Sequence, residues 1–373
     1  MACIFVSRYE RPDMVTTAVM SGPTRLIAGP GSLTRLADEI RRTGGSRVLL
    51  VSDSNLAQIG LLDRVSEVIE AAGLVHGRFH DVHVADGVDA YSAMSADIVV
   101  GVGRGSSLDL AKLIRWKVGG SFEDRTSAVP LIAIPTSAGS GSEVRNTATT
   151  ERVPFTHARL AANTAILDAE LTVGLSPLET ALGGLDALAR ALEAYVAKAS
   201  HPIADALAIA ALARLGSFLK IAVADGAHVR ARHELLLASS MAGLAAEKGL
   251  GATHSLAHAL SSAARMAHGT ANAVMLPHVM AFNLEVAADR YAVAGAAIGV
   301  ERVGSDADRG RAFVDWVVRL REELGVESRL ESYGVTEEMV ESMAPRAVAD
   351  RNHQDNPKPL ALDDARALYK AAL

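Results

Sequence analysis

Short apolar runs alternate with helical patterns through the first half of the chain. Residues 48–51, 97–100 and 131–134 are apolar runs of strand length, whereas 61–72 and 107–116 have helical spacing. Strands that are apolar throughout and alternate with helices are typical of a parallel sheet covered on both faces. The pattern therefore predicts a Rossmann-like α/β unit in the first half of the chain.

The pattern changes near Pro177, where alanine, leucine and glutamate become dominant. Alanine has the highest helix propensity, and no strand-like alternation interrupts the segments that follow. The predicted helices span approximately 178–199, 202–224, 229–248, 253–264, 270–289 and 308–324. We expect an α/β dinucleotide-binding domain over 1–176 and an all-helical metal and substrate domain over 177–373, with the active site in the cleft between them.

Composition narrows the class of protein. The 373 residues are 49% hydrophobic and 21% charged, which is typical of a globular enzyme and excludes a disordered chain. The formal net charge is −6 and no run of lysine and arginine tracks a phosphate backbone, so nucleic acid is not an expected partner. Cys3 is the single cysteine, and neither a signal peptide nor a membrane-spanning run is found. We expect a cytoplasmic protein without a membrane partner.

Glycines follow the second predicted strand, in the sequence Gly101-Val-Gly103-Arg104-Gly105-Ser106-Ser107. Glycines at a strand–helix junction let the backbone approach a phosphate, and the helix N-terminus attracts an anion. The loop departs from the strict dinucleotide fingerprint, because Ser106 stands at the third glycine position. A tight turn without a ligand is the alternative. Asp53 lies at the end of the preceding strand. A carboxylate at such a position can accept hydrogen bonds from the hydroxyl groups of an adenosine ribose, and it would repel a 2′-phosphate.

A second loop of small residues follows the third predicted strand. It reads Pro135-Thr-Ser-Ala-Gly-Ser-Gly-Ser-Glu143 and offers several hydroxyl groups. Open α/β sheets bind ligands where their strands end, which favours a ligand-binding loop over the alternative of a flexible linker.

Three histidines lie within fifteen residues in the helical half: His254, His258 and His268. The first two are four residues apart, so they share one face of a helix. Imidazole is a common metal ligand and the usual proton carrier near neutral pH. The alternative is a helix that carries histidines without a catalytic role.

Taken together, these motifs resemble the iron-containing (group III) alcohol dehydrogenase family, a sister of the dehydroquinate synthase-like enzymes. The resemblance also includes the segments 26–32, 168–172, 184–195, 268–278 and 356–359, and it covers most of the chain. It implies an N-terminal domain that binds NAD(P), a C-terminal helical domain and a metal ion between them. The activity it implies is hydride transfer between an alcohol and an aldehyde or ketone, with NAD(H) as the cofactor and NADP as the alternative.

The resemblance also assigns residues to the site. The expected cofactor-binding residues are Asp53, Gly103, Arg104, Gly105, Ser106, Asp109, Thr136, Ser137 and Ser140. Of the four metal ligands that the family uses for Fe²⁺ or Zn²⁺, Asp186, His254 and His268 match three. His258 matches an active-site histidine that does not bind the metal.

The chain departs from the family at the remaining ligand, where Arg190 stands. A guanidinium offers no lone pair and is always cationic, so it cannot bind a metal. In one interpretation, the remaining ligands and a water still hold the metal. In another, no metal binds, Arg190 stabilises the oxyanion, and His258 or His254 exchanges the proton. Maleylacetate reductases look like a metal-free branch, and an anionic carboxylate or phosphonate substrate suits the arginine.

A third interpretation is a lyase or cyclase of the dehydroquinate synthase-like type, or an inactive binding protein that keeps the fold. We favour the dehydrogenase or reductase, because the cofactor loops, three ligand positions and His258 are all present. The expected partners are a small-molecule substrate and a second copy of the chain in a homodimer.

Overall fold

A six-stranded parallel sheet organises the first half of the protein. The computed structural model describes residues 24–80, 82–119, 129–150, 153–301 and 303–373. The strands are β1 (Arg25–Ala28), β2 (Arg47–Val51), β3 (Val75–Phe79), β4 (Ile98–Gly103), β5 (Leu131–Pro135) and β8 (Thr164–Leu167), in the order β1-β8-β5-β4-β2-β3. β6 (Thr147–Thr150) and β7 (Val153–Thr156) form a separate antiparallel pair.

Helices flank the sheet and make up nearly all of the second half. Those of the first half are α1 (Leu36–Arg42), α2 (Ser54–Gln58), α3 (Leu61–Ala71), α4 (Val84–Ala93) and α5 (Gly105–Val118). Those of the second half are α6 (Pro177–Val196), α7 (Pro202–Ala224), α8 (Val229–Ala245), α9 (Ala252–Ala263), α10 (His268–Ile298), α11 (Asp306–Glu323), α12 (Glu337–Ala349) and α13 (Leu362–Ala372). The predicted fold class, a parallel α/β sheet followed by a helical unit, is confirmed.

The central strands are buried on both faces. Along β2, Val48 and Leu50 join one hydrophobic cluster and Leu49 and Val51 join the other. Successive side chains of a strand point to opposite faces, so each face of the sheet has its own core. This double burial is the reason why the three central strands could be predicted from their apolar runs.

The two edge strands are not among the three apolar runs that predict the sheet. β1 and β3 lie at the two edges of the sheet, and among their residues only Phe79 of β3 is buried. A strand that is largely exposed needs no apolar run, and therefore gives little signal. β8 lies inside the sheet but has only four residues.

The helical half packs around long, alanine-rich helices. α6 begins at Pro177 with a capping box between Ser176 and Glu179, which marks where the helical half starts. The division of domains at residues 176 and 177 nevertheless stays a prediction. α7 is long and apolar enough to cross a membrane by length and composition alone, but alanines and leucines along it are buried in the helical core. A core helix passes the same test, so the cytoplasmic location also stays a prediction.

Candidate active site

The carboxyl ends of three central strands meet at one edge of the sheet. β4 lies between β2 and β5, and all three are parallel. Asp53, Gly103 and Thr136 lie at or just beyond these ends, and the Thr136 N–H donates to the Gly103 carbonyl at 3.0 Å. Parallel sheets of this kind bind ligands at this edge. The structure therefore brings together three of the positions from which the sequence predicts cofactor binding.

Gly103 and Gly105 shape the first loop. Gly103 has φ +145°, and a Cβ there would lie 2.6 Å from the Ser107 side chain. A Cβ on Gly105 would lie 2.8 Å from the Ser140 hydroxyl. Ser106 is exposed in the first turn of α5, and no side chain caps that end of the helix. Its free N–H groups can hold an anion such as a pyrophosphate.

Asp53 lies beside that helix end. Its Oδ1 accepts from the Leu56 N–H at 3.0 Å and its Oδ2 accepts from the Ser107 hydroxyl at 2.9 Å. The carboxylate is half-buried, so it keeps access to a ligand at the edge of the sheet. Each carboxylate oxygen has a second lone pair for a ribose hydroxyl.

The second loop presents hydroxyl groups to the same edge. Thr136 is buried, and its Oγ1 has no hydrogen-bond partner in the described part of the chain. Ser137 is half-buried next to it, and the Ser140 hydroxyl accepts from the Ser142 N–H at 3.2 Å. A buried hydroxyl without a partner is costly, and a bound ligand would satisfy it.

Arg104 and Asp109 make contacts within the protein. The exposed Arg104 forms an ion pair with Glu179 at the start of α6. Asp109 accepts from the Lys112 ammonium at 3.3 Å and from the Thr149 N–H at 3.0 Å. Oδ1 also accepts from the Ser142 hydroxyl, so the Asp109 carboxylate connects α5 to the second loop and to β6. A direct role in cofactor binding stays a prediction for both residues.

The three predicted metal-ligand residues converge from three helices. Asp186 lies on α6, His254 on α9, and His268 is the first residue of α10. One potential ligand atom from each lies within 4.8 Å of the other two. A Cβ on Gly139 would lie 3.5 Å from Asp186 Oδ2, so the second loop also reaches this cluster.

Arg190 lies inside the cluster and not in solvent. It follows Asp186 by one helical turn, both side chains are buried, and Arg190 Nη2 lies 3.3 Å from each Asp186 oxygen. Burial favours a raised pKa for Asp186, but Arg190 and the two neighbouring histidines hold it well below its usual range. The carboxylate is therefore ionised and already neutralised by a fixed cation.

Asn272 joins this arrangement from the first turns of α10. Its Nδ2 donates to Asp186 Oδ1 at 2.6 Å and lies 3.1 Å from His268 Nε2. Burial lowers the pKa of His268 to about 4, so its ring is neutral near pH 7 and Nε2 accepts from the amide. To bind a metal through Nε2, His268 would need the lone pair that now accepts the hydrogen bond from Asn272.

Glu193 positions His254. Its Oε2 lies 2.6 Å from His254 Nδ1, and its carboxyl group also accepts from the Gly251 N–H at the start of α9. His254 is buried, its Nε2 has no partner among the described residues, and burial followed by Arg190 lowers its pKa. The hydrogen bond to Nδ1 directs Nε2 towards the cluster.

His258 lies at the more open side of the cluster. Its ring stacks on that of His268 with centroids 5.2 Å apart, and its side chain is 36% exposed. Nδ1 lies 2.8 Å from Asp350 Oδ2, and Asp350 also accepts from the Ser255 hydroxyl. Burial opposes ionisation, but the contact with His258 keeps the pKa of Asp350 well below its usual range. Asp350 therefore holds the ring by Nδ1, and Nε2 has no hydrogen bond to any described residue.

The sequence prediction missed Asp350 and Asn272. Asp350 follows His258 by 92 residues and belongs to no local motif, so only the tertiary structure reveals the pair. Asn272 had a usable signal, because it follows His268 by four residues on the same helix face.

Comparisons with known proteins cover both halves of the chain. The model of iron-containing alcohol dehydrogenases matches residues 23–169, and that of the C-terminal part of the Fe-containing alcohol dehydrogenase family matches 180–373. The NAD-dependent methanol dehydrogenase of Bacillus methanolicus is 33% identical over 94% of this chain and 98% of that protein.

Solved structures give the same result. 1,3-Propanediol oxidoreductase is 30% identical, with a TM-score of 0.91 over 96% of this chain and 100% of that one. Maleylacetate reductase from Rhizobium sp. strain MTP-10005 is 29% identical, with a TM-score of 0.81 over 96% and 99% of the two chains. The family implies NAD(H) and a metal such as Fe²⁺. This chain belongs to the iron-containing alcohol dehydrogenase family and is an oxidoreductase that interconverts alcohols and aldehydes or ketones.

Proposed function

We propose that this enzyme is an NAD(H)-dependent reductase of anionic aldehydes or ketones in which Arg190 takes the place of the metal. The observation that carries the proposal is the position of Arg190, whose Nη2 lies 3.3 Å from both oxygens of Asp186. A fixed cation therefore lies beside the carboxylate that is expected to be a metal ligand in this family.

The residues of the cluster do not fit the four-ligand metal site of the family. Asp186, His254 and His268 have suitable donor atoms, and the buried His254 Nε2 has no partner in the part of the chain that the structure describes. However, Arg190 removes the fourth ligand and already neutralises the one carboxylate. A divalent ion would lie close to a guanidinium in a buried site, where repulsion between like charges is strong.

The cofactor has a better-fitting site. We assign the pyrophosphate to Gly103, Gly105 and Ser106, and the adenosine ribose to Asp53. The Thr136 hydroxyl, which has no hydrogen-bond partner among the described residues, supports a ligand at this edge. The Asp53 carboxylate favours NAD(H) over NADP(H). When bound, NADH supplies the hydride for the carbonyl carbon.

Side chains of the protein stabilise the charge on the substrate oxygen and supply the proton that this oxygen receives. Arg190 stabilises the negative charge that develops on the substrate oxygen, because its guanidinium is fixed and buried. His258 donates the proton from Nε2, since Nδ1 is occupied by Asp350 and the partly exposed ring exchanges with solvent.

An anionic substrate accords with this charge distribution. With Asp186 neutralised, the nearby cleft has no free carboxylate among the residues described above. A guanidinium also recognises carboxylates and phosphonates with two parallel hydrogen bonds. The name of the related maleylacetate reductase points to a carboxylate substrate for that protein.

We also propose that two copies of the chain form a homodimer, which light scattering after gel filtration would test.

Metal content tests the proposal. The purified protein is incubated with Zn²⁺ or with Fe²⁺ under anaerobic conditions, desalted, and analysed by plasma mass spectrometry alongside Arg190→His. We expect no retained metal and full activity after chelation in the unmodified protein, and about one ion per chain in Arg190→His. Asp186→Ala in the Arg190→His background should abolish retention. About one ion per chain in the unmodified protein, lost with Asp186→Ala, would overturn the metal-free mechanism.

A further inference from the structure

Asn272 lies between the Asp186 carboxylate and the ring of His268, and its side chain is completely buried. Its Nδ2 donates to Asp186 Oδ1 at 2.6 Å and lies 3.1 Å from His268 Nε2. An amide nitrogen carries two N–H groups, so it can serve both contacts at once. The opposite orientation of the amide would place two oxygens without a shared proton 2.6 Å apart, which excludes it.

The contact with Asn272 determines which nitrogen of His268 carries the proton. An amide N–H can only donate, so Nε2 accepts, and the single proton of the neutral ring lies on Nδ1. Asp186 does not compete for a proton on Nε2, because its Oδ1 lies 3.7 Å away, beyond hydrogen-bond distance. The buried side of the cluster therefore fixes the tautomer of the ring.

The other nitrogen of His268 is a hydrogen-bond donor at the accessible side of the cluster. Nε2 is turned towards two buried residues, yet 34% of the His268 side chain is exposed. Nδ1 has no hydrogen bond to any residue that the structure describes. The ring of His258 stacks on that of His268, with the ring planes 25° apart. The Nδ1–H group is therefore available to a ligand, and its ring lies against that of the proposed proton donor.

We propose that His268 is a catalytic residue that donates from Nδ1 to the carbonyl oxygen of the substrate, and that Asn272 is the positioning residue that fixes this tautomer. The inference rests on the proposed reductase function and adds a second donor at the oxygen that receives its proton from His258. The ring centroids of His258 and His268 are 5.2 Å apart, so an oxygen about 2.9 Å from a nitrogen of each ring can lie between them. A ring that the family pattern assigns to a metal thus acts through its other nitrogen.

Asparagine and glutamine at position 268 distinguish the two nitrogens of the ring. The amide nitrogen of asparagine is as many bonds from Cα as Nδ1 is, whereas that of glutamine is one bond further, near the position of Nε2. His268→Gln should lower kcat for succinic semialdehyde, an anionic aldehyde, about 100-fold. His268→Asn keeps a donor at the position of Nδ1, and its kcat should stay within about tenfold of the original.

His80→Asn, at an exposed position before α4, is the matched control and should change neither kcat nor KM. Losses of equal size in His268→Gln and His268→Asn, or no loss in His268→Gln, would contradict a donor at Nδ1.

Nuclear magnetic resonance tests the tautomer without relying on turnover. The protein is labelled with ¹⁵N-histidine, dialysed against EDTA and saturated with NADH, and the His268 signals are assigned by their loss in His268→Asn. We expect the proton on Nδ1 in the unmodified protein, and both tautomers in Asn272→Leu, which keeps the approximate size of the side chain but has no donor. A proton on Nε2 in the unmodified protein would overturn the role of Asn272, even if Asn272→Leu does not fold.

A titration with succinamate separates the donor role of His268 from the reductase proposal. Succinamate is the amide that corresponds to succinic semialdehyde, and NADH does not reduce its carbonyl group. We expect its binding to shift the Nδ1 signal of His268 in the NADH-saturated protein, because a new hydrogen bond forms there. If the signal shifts but no aldehyde is reduced, only the reductase proposal fails. No shift up to the limit of solubility would overturn the donor role of His268.

Discussion

The residue at position 190 changes the chemistry of the whole cluster. A guanidinium of fixed charge is paired with Asp186, and two histidines beside it are held neutral by burial. The cluster therefore carries a fixed positive donor, and the carboxylate beside it is already paired. A fixed positive donor is what the stabilisation of an oxyanion requires, and a guanidinium provides it without a metal ion.

Replacing Arg190 tests whether its charge acts in the transition state. Arg190→Gln removes the charge and leaves Asp186 buried, with Asn272 still donating to Oδ1 and His268 Nε2 at 3.7 Å from the same oxygen. We expect kcat to fall about 100- to 1000-fold, as for the loss of an oxyanion donor, with the Kd for NADH unchanged. Steady-state kinetics and a fluorescence titration with NADH measure the two quantities. A kcat within about threefold of the original would contradict a catalytic role for the guanidinium.

Asp350 acts through His258, and is therefore a positioning residue. Asp350→Asn keeps the size of the side chain but removes the charge that holds the ring by Nδ1. We expect a decrease in kcat of about 10- to 100-fold, an unchanged KM and an altered pH–rate profile. An unaltered pH–rate profile together with a lower thermal midpoint would indicate a purely structural role. Asp315→Asn, at an exposed position of α11, is the control for the substitution itself.

At the scale of elements, two helix N-termini form the two parts of the site. The first turn of α5 leaves its N–H groups free beside Gly103, whereas Glu193 occupies the N-terminus of α9. The difference decides what each end does. The free end of α5 can hold an anion, and the occupied end of α9 fixes the orientation of His254.

Gly103 is the position at which a methyl group would disturb the cofactor loop. Gly103→Ala places a Cβ 2.6 Å from Ser107 at φ +145°, so the start of α5 must move. We expect the Kd for NADH to rise at least about tenfold, measured by fluorescence titration. Gly29→Ala is a close control, because its φ is +152° but no atom lies within 4 Å of the added Cβ. A Kd for Gly103→Ala within about twofold of that of Gly29→Ala would contradict a role for this loop in binding NADH.

At the scale of the whole molecule, close backbone contacts join the second loop to the helical half. A Cβ on Gly243 of α8 would lie 2.8 Å from the Gly141 carbonyl oxygen, and Gly141 itself has φ +62°. A Cβ on Gly183 of α6 would lie equally close to the Ala138 carbonyl oxygen, at 2.8 Å. These glycines allow the sheet edge and the helices to form one cleft.

Gly243→Ala tests that contact, because helix propensity and close packing predict changes of opposite sign in the stability of the protein. Helix propensity alone would stabilise the protein by about 1 kcal/mol, because alanine replaces glycine within a helix. We expect the opposite, a decrease of about 1–3 kcal/mol in the free energy of unfolding, because the methyl group meets backbone atoms that cannot rotate away. Urea denaturation measures the change. An increase in stability would mean that the two backbones are not in contact in solution.

The sequence by itself determined the central strands, the six predicted helices of the second half and the residues that could carry chemistry. These features are local: apolar runs mark doubly buried strands, and glycine or histidine spacing fixes what shares a turn or a helix face. It also identified Arg190 as the departure from the family pattern. It gave no signal for Asp350 as the partner of His258.

Only the tertiary structure decided which side chains meet. Arg190 pairs with Asp186 inside the cluster, Asn272 of α10 donates to that same carboxylate, and Asp350 reaches His258 across 92 residues. The physical reason is that burial and electrostatics depend on distances in space. A guanidinium in solvent and one beside a buried carboxylate have the same sequence pattern, but they support different chemistry.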